Sequence, residues 1–408
     1  MPSRIINSLG VEQRLQYTAA GFFFGVCRFG ALPLLRAPHG LAPVWFLVGR
    51  REAFFLSATL IVRLMQGIYA RWIDRWERRL ATRDSNRVVR PFEWGTDWLQ
   101  AMGFPTWIDN HNGDPASVDR FVAEALLDSD RFYSYPPVRD YHFRDNRLTY
   151  SSPAPSGIPE NDTVHAVWFP ARRDHGRALV VLPQWNAGRD GHVGLARLLN
   201  LFGISALRMS MAYHAERLPE GLQRAEYHVS SNIGRTIHAA RQSVVDTRAC
   251  LDWLQQQGYS RLGLLGTSLG SCVAFIAAAH DTRVRAGIFN HVSMYFSDVV
   301  WTGLATQHVR SSFDNVLTQE DLRRYWAPIS PATYIWRLVG RDLRSLLVWA
   351  RHDTSFLPVY SRQVVETYRE LKLAHRVVAL PCAHYTTGEF PFNVMDGLAM
   401  CGFAAHAL

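Results

Sequence analysis

From about residue 140 the chain alternates short apolar runs with amphipathic stretches. The runs Arg147–Ser151, Val164–Phe169, Ala178–Leu182, Ile204–Met209, Leu262–Leu265, Ala286–Asn290, Leu346–Ala350 and Arg376–Leu380 read as strands. Most are apolar at every position rather than at alternate ones, the pattern of strands buried on both faces. Helical spacing predicts helices at Val193–Phe202, Ile233–Gln257, Ser268–His280 and Val359–Leu371, with Gly258 as a C-terminal cap. Strands and helices in turn predict a mostly parallel sheet with helices on both faces. The first two strands, joined by the Pro- and Ser-rich stretch Ser151–Pro159, are expected to pair antiparallel.

The first 135 residues differ in character. Ala53–Leu80 is the strongest helical segment, and Leu64, Ile68, Trp72 and Trp76 recur every fourth position. That face is expected to pack on the main domain or on a second subunit. The alternative is peripheral contact with a membrane surface, since Arg71, Arg75, Arg78 and Arg79 crowd the helix end. Asp109–Asp114 reads as a polar turn, because it lacks the downstream Glu of an EF-hand calcium loop. Val118–Leu127 reads as a short helix. The expected organisation is a helical extension over 1–135 and an α/β domain over 140–408. Within that domain, 291–344 interrupts the rhythm with many aromatics and is expected to form a small helical cap.

Composition narrows the functional classes. Apolar residues make up 48% and charged residues 19% of the 408, a globular balance. The formal charge of +9 is carried almost wholly by Arg, Lys372 being the only lysine. With no nucleic-acid-binding motif and no basic tract, nucleic acid is not expected as a partner. Five widely spaced cysteines, no clear signal peptide and no uninterrupted apolar run of spanning length predict a reducing, cytoplasmic setting without structural zinc.

Chemistry concentrates at Gly266-Thr267-Ser268-Leu269-Gly270. This G-x-S-x-G lies between a predicted buried strand and a predicted helix, the context that sets a serine on a tight turn above the sheet. A serine hydroxyl needs a base, and the base needs an acid to orient it. In an open α/β sheet such groups lie just beyond the carboxyl ends of strands. Asp353 meets that condition after Leu346–Ala350, and His384 meets it after Arg376–Leu380. Asp298 is the competing acid; His214, His291 and His352 are the competing bases. Cys272, one turn beyond Ser268, reads as a packed residue.

With Ser268, Asp353 and His384 in that order, the chain resembles the α/β-hydrolase superfamily over about residues 140–408. The resemblance rests on Gly266–Gly270, on Arg351-His352-Asp353 with Pro358, and on Pro381–His384. It implies a serine hydrolase that cleaves carboxylic esters of small molecules, without metal or organic cofactor, and the aromatics of 291–344 suggest an apolar acyl or alcohol group. Leu269 N–H would stabilise the oxyanion. The second donor lies after Ala178–Leu182, where Pro183-Gln184-Trp185-Asn186 replaces the His-Gly-Gly of many esterases, so Gln184 or Trp185 would supply it. Tyr213, His291, Tyr295, Trp301 and Tyr385 are the expected pocket residues. An amidase or peptidase would use the same residues. A non-catalytic protein of this fold, a membrane-associated one and a homodimer are further alternatives.

Overall fold

The computed structural model describes residues 45–83, 87–103 and 115–408, with the side chains of the first segment from Arg63 onward. The expected Asp109–Asp114 turn lies outside the described residues. The chain divides into two units, 1–61 and 62–408. Ahead of the sheet, Leu99, Val118, Phe121 and Phe132 are fully buried with the residues that cover it.

Nine strands form one sheet: β1 His142–Arg144, β2 Arg147–Ser151, β3 Thr163–Phe169, β4 Arg177–Leu182, β5 Ser205–Met209, β6 Arg261–Thr267, β7 Val284–Asn290, β8 Arg344–Ala350 and β9 His375–Leu380. Their spatial order is β1-β2-β3-β5-β4-β6-β7-β8-β9. The first four in that order pair antiparallel, and the rest are parallel. The strands alternate between two cores. Ala178, Val180 and Leu182 face the helices Ile233–Gln256 and Leu269–His280. Leu179 and Val181 face Val193–Leu201 and the last helix, Phe392–Ala407. Each face is covered, which is why the central strands carry no polar alternation.

The segment after β7 is helical. It begins with Phe296–Thr302 and includes Gln319–Tyr325, whose capping box joins Thr318 to Asp321. Ahead of the sheet, residues 93–95 run along the start of the Ile233–Gln256 helix. Ile233 N–H donates to Glu93 O at 3.0 Å and Gly234 N–H to Trp94 O at 3.0 Å.

The helix Trp45–Ala81 packs on a different stripe from the one its spacing predicts. Leu64, Ile68 and Trp72 are exposed, whereas Ile73, Glu77 and Leu80 are buried and Trp76 packs against the sheet domain. A strict four-residue repeat advances about 40° around the helix at each step, so Leu64 and Trp76 lie far apart on the surface. The buried stripe runs instead through Tyr69, Ile73, Trp76, Glu77 and Leu80. Among the described residues, no helix is long and apolar enough to cross a membrane.

Candidate active site

The turn after β6 is built by two glycines. A Cβ on Gly266 would stand 2.1 Å from Gly270 O, and one on Gly270 would stand 2.3 Å from Leu182 O and 2.5 Å from Pro183 O. No side chain fits at either position, so the turn closes against the end of β4 and brings residue 268 beside Pro183–Asn186. Ser268 takes φ 56° and ψ −119°, a conformation that costs an L-residue about 1–3 kcal/mol. The strain is held by its own N–H on Asn290 O at 2.7 Å. The Ser271 hydroxyl, 2.6 Å from Ser268 O and 3.0 Å from His291 O, adds to the restraint.

The structure brings together the three residues the sequence singles out. Ser268 Oγ lies 3.2 Å from His384 Nε2, and His384 Nδ1 lies 3.1 Å from Asp353 Oδ2. Asp353 Oδ1 accepts the N–H groups of Ser355 at 2.8 Å and Phe356 at 2.7 Å, and the Phe356 ring stacks on His384 at 5.4 Å. Asp353 also accepts a second imidazole: His291 Nδ1 lies 2.8 Å from the same Oδ2. Burial would raise the Asp353 pKa, but the His384 charge and the hydrogen bonds from both histidines hold it well below the usual carboxylate range. Burial would lower the His384 pKa, yet the Asp353 charge and hydrogen bond, with a further contribution from Glu77, raise it. His291 shifts downward, burial outweighing its bond to Asp353.

Of the competing residues, His291 shares Asp353, His352 packs against the Tyr69 ring at 5.7 Å, and the others are engaged elsewhere. Asp298 is paired with Arg323 at 2.6 Å and accepts from Gln319 at 2.9 Å, inside the helical insertion. The buried His214 bonds Ala212 O through Nδ1 at 2.7 Å. Burial pushes the Cys272 thiol up to about 12, which removes it as a thiolate. His291, Asp353 and His384 are a cluster of metal-ligand type, one donor atom from each lying within 4.8 Å of the others. Both Nδ1 atoms are committed to the carboxylate, which makes the arrangement a hydrogen-bonded relay.

A cavity of about 870 Å³ opens on Ser268 and His384. Gln184, Trp185 and Leu269 line it beside Ser268. Leu269 begins a helix, where the N–H has no carbonyl to bond within the helix. The Gln184–Asn186 turn is anchored by Trp185 Nε1 on Ala225 O at 2.9 Å and by Ala225 N–H on Asn186 Oδ1 at 2.9 Å. Of the five expected pocket residues, His291 and Tyr385 line the cavity. Tyr213, Tyr295 and Trp301 do not, and the expectation for them is corrected. Tyr213 lies in a small separate cluster with Ala212, Ala225 and Ala239. Tyr295 and Trp301 lie under the Arg323 and Arg310 guanidinium groups, each at 5.0 Å. The Phe296–Thr302 helix turns Phe296, Val299 and Val300 to the cavity, so Trp301, about 100° further round than Val300, faces away.

Some site residues carried no sequence signal strong enough to name. Asp396, from the last helix, lines the cavity and accepts from Asn290 Nδ2 at 2.7 Å; burial pushes its carboxyl up to about 7. His192 Nε2 lies 2.8 Å from Thr267 Oγ1 beside the elbow. Glu77 reaches the loop that follows His384.

No protein-family model matches the chain, and no curated protein matches it in sequence. Its backbone is similar to that of an acetyl xylan esterase from Paenibacillus sp. R4, with a TM-score of 0.51 and 14% identity, covering 76% of this chain and 99% of that one. It is also similar to an acylaminoacyl peptidase from Pyrococcus horikoshii, with a TM-score of 0.50 and 12% identity, covering 66% of this chain and 42% of the peptidase. The chain therefore matches less than half the length of that peptidase. Sheet order, elbow and these likenesses define the class: the chain has the α/β-hydrolase fold.

Proposed function

We propose that the chain is a serine hydrolase that cleaves carboxylic esters through an acyl-enzyme. The observation that carries this reading is the line from Ser268 Oγ to His384 Nε2 at 3.2 Å and from His384 Nδ1 to Asp353 at 3.1 Å, at the head of the cavity. Ser268 Oγ attacks the ester carbonyl carbon while its proton passes to His384 Nε2. Asp353 fixes the imidazole tautomer and stabilises the imidazolium. The tetrahedral oxyanion is held by Leu269 N–H and by an N–H from Gln184 or Trp185. Collapse breaks the C–O bond, and His384 returns the proton to the departing alcohol. Water, deprotonated by His384, then attacks the acyl-serine. The acid is released and Ser268 takes the proton back.

The fold does not separate ester from amide, since both an acetyl xylan esterase and an acylaminoacyl peptidase share it. Esters are favoured because an alkoxide leaves more readily than an amine. Phe296, Val299, Val300, Leu195 and Leu198 give the cavity apolar walls suited to an apolar acyl or alcohol group. Hydrolysis of matched ester and amide series with increasing acyl length tests the reading. Ester turnover that Ser268→Ala abolishes is expected; turnover confined to amides would replace it with the peptidase reading.

A further inference from the structure

The helix Trp45–Ala81 carries a carboxylate into the site. Glu77 is fully buried. Its oxygens accept Tyr385 N–H at 2.9 and 3.0 Å, Thr386 N–H at 3.0 Å and the Thr354 hydroxyl at 3.1 Å. Tyr385 follows His384 and Thr354 follows Asp353. One side chain therefore holds the loop that bears the base and the loop that bears the acid. The same helix has a second hold on the histidine loop, the Tyr69 hydroxyl donating to Pro381 O. Among the described residues, no arginine or lysine pairs with Glu77, although a buried carboxylate ordinarily requires such a partner. The neighbouring group that acquires positive charge in the reaction is His384.

We propose that Glu77 is a positioning residue for hydrolysis at Ser268, fixing the His384 and Asp353 loops against each other and adding a second negative charge near the imidazole. This rests on the serine hydrolase reading. The arrangement gives the N-terminal helix a part in the chemistry although it lies outside the sheet. Burial raises the Glu77 pKa, and the donated N–H groups and the His384 charge act against that rise.

The test uses the full chain, a short-chain nitrophenyl ester and a fluorophosphonate probe. Glu77→Gln is expected to lower kcat about 100-fold with KM within twofold, the scale of a small misplacement of reacting groups. It is also expected to move the acid limb of kcat/KM to lower pH, because a negative charge near His384 is lost. Glu77→Asp keeps the charge on a shorter arm, so the limb returns toward wild type while kcat stays low. Should Glu77→Gln fail to fold, Thr354→Val removes one hydrogen bond and leaves the charge; it is expected to lower kcat severalfold without moving the limb. Wild-type kcat and pH profile in Glu77→Gln, or wild-type kcat in Thr354→Val, overturns the proposal. So does a Glu77→Gln protein that folds in part and whose folded fraction turns over at the wild-type rate. If wild-type protein is labelled at Ser268 while these variants behave as wild type, the positioning role alone fails. Absence of labelling in wild type removes the hydrolase reading beneath it.

Discussion

Two imidazoles share Asp353 Oδ2, and this decides how single substitutions should act. Asp353→Asn removes the acceptor for both rings, and the tautomer of His384 is no longer fixed. Turnover should fall by about 10⁴-fold, as for the equivalent loss in serine proteases, and circular dichroism should show the fold retained. His291→Phe takes away one donor and leaves the His384 bond. It should cost far less, on the order of tenfold in kcat, consistent with a lost buried hydrogen bond of about 1–1.5 kcal/mol. Asp298→Asn should leave turnover unchanged, because that carboxylate serves Arg323. The pH profile follows from the same pair. His384 accepts the Ser268 proton only when neutral, so kcat/KM should rise with pH through the His384 pKa. The Asp353 charge and hydrogen bond raise that pKa against burial, so the midpoint should lie above the ordinary value of about 6.5.

At the scale of elements, the elbow and the N-terminal helix make opposite lessons. The elbow was legible in the sequence: five residues, an apolar run before and a helix after allow one geometry. Gly270→Ala tests it, because the added Cβ would strike Leu182 O and Pro183 O; activity should be lost and Tm lowered in a thermal melt. The strands were legible for a related reason, since central positions such as Val180–Leu182 are buried on either face and must be apolar. Asp353 and His384 were legible because each immediately follows such a strand. The N-terminal helix was not, because Leu64 and Trp72 are as apolar as Ile73 and Trp76, and only tertiary contact distinguishes them. Nor could spacing show that Glu77 reaches a loop some 300 positions away. Ile73→Ala should therefore destabilise the protein by about 2–5 kcal/mol, while Trp72→Ala, which loses only ring contacts with Tyr69 and Trp76, should cost on the order of 1 kcal/mol by denaturant titration. The last helix, which supplies Asp396, left no distinct amphipathic pattern because it is apolar around much of its circumference.

Across the whole molecule, the cavity draws its walls from both sides of the sheet. Val299 and Phe356 belong to the core on one face, Leu195 and Met400 to that on the other. This places Asp396 in a setting that affects global stability. Burial pushes its carboxyl up to about 7, against about 3.9 in an unfolded chain. The folded state then binds the proton more tightly, so stability is highest below the unfolded value and declines as pH rises toward 7. The penalty at pH 8 is on the order of 4 kcal/mol, and Asp396→Asn should remove it. Melting wild type and variant at pH 5 and pH 8 checks this: the variant should gain more at pH 8.

The claim on which the rest depends is that Ser268 is an activated nucleophile. Reaction of the purified chain with a fluorophosphonate, followed by mapping of the modified residue by mass spectrometry, tests it directly. The account predicts one adduct, on Ser268, forming faster as pH rises through the His384 pKa, absent in Ser268→Ala and strongly slowed in His384→Ala. No adduct on a folded wild-type chain, or an adduct at another residue that persists in Ser268→Ala, would contradict it.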